Sequence, residues 1–292
     1  MKRAVLKENK IKKSLVEKVV FGIVFVLFFV YAFMLLYPLL FGFSASLIEN
    51  GRVYAKDPFA ISIPPYFSNY IKAFQELKIR QTDFFGMFVN SLWFAAGANF
   101  LSILSSSMMA YVVSKYNFKG KMLLYNMVLI VLVFPLYGTE AAKYRLLDTL
   151  NWLNSPLYLL SAAWAFGTEF LLIYAFFKAL PWSYSEAAFM DGAGHFYVFF
   201  KIMLPLALPS VAAVFVVGFI GMWNSYSVPL LYFPQMPTLA AGLWQYEKIM
   251  KYQANQPVYY AGAILSMLPL FLIFIVFQNT IMQKVYLGGV KG

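Results

Sequence analysis

Residues 19–48 contain no Asp, Glu, Lys or Arg. A helix over that stretch would run about 45 Å at 1.5 Å per residue. The hydrocarbon core of a bilayer is filled by about 20 mostly apolar residues. An all-round apolar helix of that length has no place on a water-facing surface, so the run predicts a membrane span. Five further apolar stretches extend the pattern, giving Val19–Phe43, Phe88–Val113, Met122–Leu136, Pro156–Phe177, Leu204–Leu231 and Tyr259–Ile281. Pro135 interrupts the third, and the polar run Gly138–Asp148 follows it. None of the six alternates as a strand does, which predicts helices rather than a barrel. Charged residues make up only 12% of the chain, about half the share a soluble domain carries. The expected fold is all-α, an integral membrane protein with six transmembrane helices.

The direction of the spans follows from Lys and Arg, which concentrate in cytoplasmic segments. The N-terminal tail holds Lys2, Arg3, Lys7, Lys10, Lys12, Lys13 and Lys18. With that tail inside, Lys115, Lys119, Lys121, Lys178, Lys201, Lys284 and Lys291 also fall inside. The shorter set falls outside: Arg52, Lys56, Lys72, Lys78, Arg80, Lys143, Arg145, Lys248 and Lys251. Both termini are therefore expected in the cytoplasm, as an even number of spans requires. The organisation reads as a cytoplasmic basic tail (1–18), a first span (19–43) and an extracellular or periplasmic loop (44–87). A core membrane domain (88–281) follows, then a cytoplasmic C-terminal tail (282–292). The first apolar run is longer than the 7–15 residues of a secretory signal core. It also lacks a small-x-small cleavage site after Gly42-Phe43-Ser44, so it reads as a retained span.

A net charge of +11 would on a soluble chain suggest nucleic acid. Here the basic residues sit in short runs between apolar segments, which suits an anionic membrane surface instead. The chain has no Cys, so disulfides, thiolate metal sites and a Cys nucleophile are absent. His195 is its only histidine and has no companion ligands, so it reads as a helix-end residue. No G-x-x-x-x-G-K-[ST] phosphate loop occurs: Gly120-Lys121-Met122 lacks both the upstream glycine and the hydroxyl. No paired acids or nucleophile constellation points to an enzyme.

The most informative loop lies between the fourth and fifth spans. Ser183 can cap a short helix there, with Glu186 three residues on completing a capping box. Ala187, Ala188, Phe189 and Met190 give it an apolar face, and Gly192 and Gly194 can stop it in left-handed geometry. A helix projecting from the membrane invites either lipid or a partner groove.

Glu186-Ala187-Ala188, Gly192, Ile202 and Leu204-Pro205 fit the pattern Glu-Ala-Ala-x3-Gly-x9-Ile-x-Leu-Pro with every spacing kept. The chain thereby resembles the permease subunits of binding-protein-dependent ABC importers, and within them the carbohydrate branch typified by the second maltose permease. Asn90-Ser91-Leu92, the turn Ala110-Tyr111 to Gly120-Lys121, Trp223-Asn224 with Pro229-Leu230, and the end Gly288–Gly292 are similar to segments of the same branch. Lys115 stands where the family usually has Arg, and Val112 where it has Ala. The resemblance implies a type I importer permease fold in which residues 181–205 hold the coupling helix. Glu186, Ala187, Ala188, Asp191 and Gly192 would then dock into an ATPase. It also implies a second homologous permease subunit, two ATP-binding subunits that carry the ATP and Mg, and an extracellular or periplasmic solute-binding protein. This subunit itself would hold no cofactor and no metal, and would work in the bacterial cytoplasmic (inner) membrane, among lipid and without nucleic acid.

Three residues are candidates for the substrate pathway. Glu169 falls near the middle of the fourth predicted span, where an ionisable group is costly and points to function. Protonation, or pairing with the second permease, would also account for it. Trp223 and Asn224 combine a ring that can stack on a sugar with a polar partner. Asn99 and Ser225 are polar residues of the same kind. The long first loop is long enough to carry function, with a solvated connector as the alternative. Residues 235–256 read as a plain connecting loop, with contact to the solute-binding protein or a plug toward its site as the alternatives. Alternatives for the whole chain are an ABC permease for another solute, such as a glycerol phosphodiester or a peptide, and a stand-alone ion-coupled carrier. The carrier would need internal repeats and broken helices around a central site.

Overall fold

The computed structural model describes residues 14–134, 138–249 and 255–287. The basic tail as far as Lys13, Pro135 and the Gly288–Gly292 end lie outside them. Among the described residues the chain is helical with one isolated β-bridge, Ile79 to Thr82.

Helix α1, Leu15–Ser46, begins at a capping box. The Ser14 hydroxyl accepts from the Glu17 amide at 3.2 Å, and the Glu17 carboxylate accepts from the Ser14 amide at 2.7 Å. The long first loop is folded rather than a solvated connector. It carries α2, Gly51–Lys56, and α3, Ser68–Glu76. Ile48, Ala73, Leu77 and Ile79 are buried, and Asn69 donates to the carbonyls of Ser46 and Ile48 at 2.9 and 2.7 Å. Those bonds replace water for backbone groups at the end of α1, so the loop closes over the span it follows.

Asp83 caps α4, Phe84–Lys115, by accepting from the Gly86 amide at 2.8 Å. Gly120, at φ +94°, turns the chain into α5, Lys121–Val133. At 1.5 Å per residue α5 is about 20 Å long, short of a full crossing. After it come α6, Thr139–Thr149, and a 3-10 helix, Pro156–Ala162. The expected fourth span, Pro156–Phe177, is interrupted. The 3-10 turn ends at Ala162, and α7, Thr168–Ala179, starts afresh after an extended Gly167. Hydropathy could not reveal that break, because residues 163–167 are themselves apolar.

Beyond α8, Ser183–Met190, one continuous helix runs over His195–Asn224. It consists of α9, His195–Val198, a π turn at Phe199–Met203, and α10, Leu204–Asn224. It ends before the expected Leu231, and a separate α11 occupies Ser227–Tyr232. Residues 235–256 are not a plain connector, since they hold α12, Leu239–Ile249, packed on α4 and on α13, Gln256–Leu287. Asn90 and Ser91 explain that packing. The Asn90 amide donates to the Pro237 carbonyl at 3.1 Å, and the Leu239 amide donates to the Ser91 hydroxyl at 2.8 Å.

Among the described residues four helices are long and apolar enough to cross a membrane: α1, α4, the 195–224 helix and the described part of α13. The short α5 and the broken 156–179 segment take the place of the other two expected spans. α4 lies centrally against α7 and α10, α10 leans on α13, and α1 packs chiefly on α13.

Candidate functional site

At one end of the bundle α8 turns an exposed outer face away from the spans while Ser185 and Ala188 pack inward. It has no capping box. Trp182 occupies the cap without a side-chain hydrogen bond, and Ser183 already lies inside the first turn. Glu186 is therefore exposed and not engaged in capping. The stop is as expected at Gly192, whose φ is +83°. The Gly192 amide donates to the Phe189 carbonyl at 3.0 Å, and the Ala193 amide donates to the Ala188 carbonyl at 2.9 Å. Those two bonds are the Schellman closure that a left-handed glycine permits. Gly194 is extended instead and starts the next helix. Ala188 is buried, whereas Glu186, Ala187 and Asp191 are exposed and Met190 is 89% exposed. Asp191, Gly192 and Ala188 also border a cavity of about 590 Å³ beside this turn.

The end of α4 grips α8 from both sides. The Lys115 ammonium donates to the Leu180 carbonyl just before α8. The Tyr116 hydroxyl and His195 Nδ1, just after it, are hydrogen-bonded at 2.9 Å. Tyr116 also meets Trp182 edge-on at 5.7 Å, and His195 meets Phe189 at 4.9 Å. One helix terminus thus holds both ends of the projecting segment. Further along, the π turn precedes Pro205, which has no amide to give the Lys201 carbonyl; such turns mark strain of this kind inside a helix.

A second region lies among α4, α7 and α10, where a cavity of about 500 Å³ is walled by Asn99, Ser102, Gly218 and Glu169. A neighbouring cavity of about 770 Å³ shares Ser102, Glu169 and Met222 with it. Its wall adds Glu140, Lys143, Trp152, Tyr158 and Trp164. Glu169 is thus not at mid-span. It occupies the first turn of α7, where the helix dipole favours a carboxylate, and it faces both cavities. A side-chain carbon on Gly167 would collide with its Oε2, so glycine leaves the carboxylate room to fold back. Asn99 donates to the Phe215 carbonyl at 2.7 Å, tying α4 to α10.

Sequence reasoning missed the α6 cluster. Tyr232 donates to Glu140. Lys143 donates to the Tyr158 hydroxyl at 3.4 Å and lies over the Tyr158 and Tyr232 rings, 5.3 and 5.1 Å from their centroids. Burial pushes the Lys143 pKa down, partly opposed by Glu140. The available signal was the pair Glu140 and Lys143, three residues apart on one helix face, in a run otherwise noted only for being polar.

Trp223 is placed elsewhere. It is 3% exposed, stacked on Phe219 at 5.6 Å and edge-on to Phe88 at 5.9 Å. Its indole N–H donates to the Ser266 carbonyl at 3.0 Å, and it lines neither of the two cavities. Its visible work is to hold α10 on α13. Asn224 is exposed at the end of α10 and bonds back to the Ile220 carbonyl at 3.0 Å. The adjacent Ser225 lines the smaller cavity.

The family model described as "Binding-protein-dependent transport system inner membrane component" matches residues 10–285. The diacetylchitobiose uptake system permease protein NgcG of Streptomyces coelicolor is 30% identical over 255 residues, which is 86% of this chain and 82% of that one. The arabinooligosaccharides transport system permease protein AraQ of Halalkalibacterium halodurans is 30% identical over 85% of this chain and 86% of its own. Among solved structures, a chain of a bacterial ABC transporter involved in import of the acidic polysaccharide alginate superposes with a TM-score of 0.76. It does so at 21% identity, over 91% of this chain and 98% of that one, a likeness of fold.

Proposed function

This chain belongs to the family of binding-protein-dependent transport system inner membrane components, and from that premise we infer that it is a permease subunit of an ATP-driven ABC importer for an oligosaccharide. The chain is one half of the channel, completed by a second homologous permease. It works with two ATP-binding subunits that carry ATP and Mg and with an extracellular or periplasmic solute-binding protein. Both termini are cytoplasmic. The substrate class rests on relatives whose names specify diacetylchitobiose and arabinooligosaccharides.

The observation that carries the coupling role is the projecting helix α8, exposed at Glu186 and Asp191 and gripped at both ends by the terminus of α4. Glu186, Ala187, Asp191 and Gly192 form the surface that an ATPase cleft receives, while Ala188, also expected there, packs inward beneath them. A ligand or partner shifts a conformational equilibrium only through contacts that differ between the two states. A grip at both ends of α8 lets such contacts reach α4. In the assembled complex, Glu186→Ala lowers ATP hydrolysis stimulated by the loaded solute-binding protein about tenfold or more. The ATPase assay, run on material whose subunit ratio is checked, decides. Full stimulation in a correctly assembled variant overturns the coupling role. Failure of an ATPase and a second permease to co-purify overturns the importer itself.

Glu169 and Asn224 are the pathway residues of this subunit, because Glu169 faces both cavities and Asn224 is exposed at the adjoining helix end. Trp223, also expected in the pathway, instead packs α10 on α13 and lines neither cavity. Glu169→Gln keeps the shape and removes the charge. It should lower transport by about tenfold, the scale of a lost charge-assisted hydrogen bond, with the complex still assembled. Uptake of radiolabelled sugar into vesicles measures it, and unchanged uptake removes Glu169 from the pathway.

A further inference from the structure

The segment between α2 and α3 exposes large apolar side chains. Phe59, Ile61 and Ile63 alternate along residues 59–63 and are 67%, 82% and 90% exposed. Water is a poor environment for that surface. Burying each such side chain is worth about 1.5–3 kcal/mol. The exposure is not that of a frayed tip, because the segment is fastened at both ends to the end of the first span. At its start the Phe59 amide donates to Asp57 Oδ1 at 2.9 Å, and the Phe59 ring meets Phe41 of α1 edge-on at 5.4 Å. At its end the Tyr66 amide donates to the Leu47 carbonyl at 3.1 Å.

Those attachments fix its depth. Lys18 is the last charge before the apolar part of α1, and Phe41 lies 23 residues beyond it, about 35 Å along the helix. A hydrocarbon core is about 30 Å thick. Phe41, and with it Phe59, therefore sits at the boundary of the leaflet farther from the N-terminus. The apolar flank of α1 is also exposed up to this level, through Leu40 and Phe43. The patch continues that lipid-facing surface. Residues 58–67 carry no charge, so nothing on the segment resists the interface.

We propose that Phe59, Ile61 and Ile63 insert into the interfacial layer of the distal leaflet and anchor the outer loop to lipid. Apolar groups of surface-lying segments sink about 5–10 Å into that layer. The anchor would hold the cap formed by α2 and α3 at a constant height over the end of α1.

The test uses the absence of cysteine from the chain. Ile61→Cys and Ile63→Cys each give one site for a nitroxide spin label on the full chain in phosphatidylethanolamine and phosphatidylglycerol vesicles. Phe28→Cys, in the exposed middle of α1, reports that the chain is inserted. Lys56→Cys gives the aqueous reference. The expected result is preferential collision with oxygen over a water-soluble nickel chelate at both isoleucine positions, by at least about threefold relative to the label at 56. Two results overturn the proposal: nickel accessibility equal to that at 56, which places the segment in water, and protection from both reagents, which places it against protein.

Discussion

Replacing Gly192 by valine is expected to lower stimulated ATP hydrolysis in the assembled complex by tenfold or more, whereas replacing it by asparagine is expected to leave hydrolysis within about twofold. The difference arises from the backbone. Gly192 sits at φ +83° with open space where a side chain would begin, so no clash separates the two variants. Left-handed geometry costs an ordinary L-residue about 1–2 kcal/mol, and asparagine visits it readily. For a β-branched residue it is a true outlier. Valine would break the pair of bonds from the Gly192 and Ala193 amides to Phe189 and Ala188, and α8 would lose its fixed direction relative to α9. Every 1.4 kcal/mol is a factor of ten, so a penalty of this size on a coupling element is readily measured. The readout is hydrolysis in the presence of loaded solute-binding protein, divided by the amount of ATPase that co-purifies. Equal behaviour of the two variants would show that the left-handed turn does not set the coupling geometry.

Trp223→Ala has its effect on stability. Truncating a fully packed aromatic residue costs about 3–5 kcal/mol, and here the stack on Phe219, the edge contact with Phe88 and the bond to the Ser266 carbonyl all disappear. The thermal midpoint of the purified complex should drop by several degrees, while the KM for transport stays unchanged in the surviving fraction. Trp223→Phe should cost only about 1 kcal/mol, since the ring contacts persist and one hydrogen bond is lost. A changed KM with unaltered stability would return Trp223 to the sugar pathway.

The contrast between Trp223 and Glu169 shows what a sequence can display. Both sit in apolar surroundings and both invite a pathway role. Four of the six expected spans, the short helix α8 and the stop at Gly192 were legible because each depends on local chemistry: unbroken apolar runs, and a glycine at a fixed spacing. The break at residues 163–167 was not legible, because Ala163, Trp164, Ala165 and Phe166 continue the apolar pattern while the backbone changes course. That break moves Glu169 from an expected mid-span position to a helix start. The capping box expected at Ser183 and Glu186 failed for a similar reason, since the helix begins one residue earlier than the motif demands and leaves Glu186 free to face outward. The α6 cluster joins residues 140, 143, 158 and 232, and only the fold brings them together. The folded first loop was hidden in the same way, since its burial depends on α13, nearly two hundred residues later.

The pairing of α1 with α13 has a consequence for how the chain is made. α1 leaves the ribosome long before α13, on which it chiefly rests. Throughout synthesis its main neighbour does not yet exist. α1 must stay in the bilayer on its own merit until α13 arrives, and it is the most apolar of the long helices among the described residues. α4, which acquires α7 and α10 soon after it emerges, is the least apolar. The contrast between α1 and α4 thus matches how long each waits for its neighbours, and a polar substitution in α1 should be punished during insertion, before any packing is at stake.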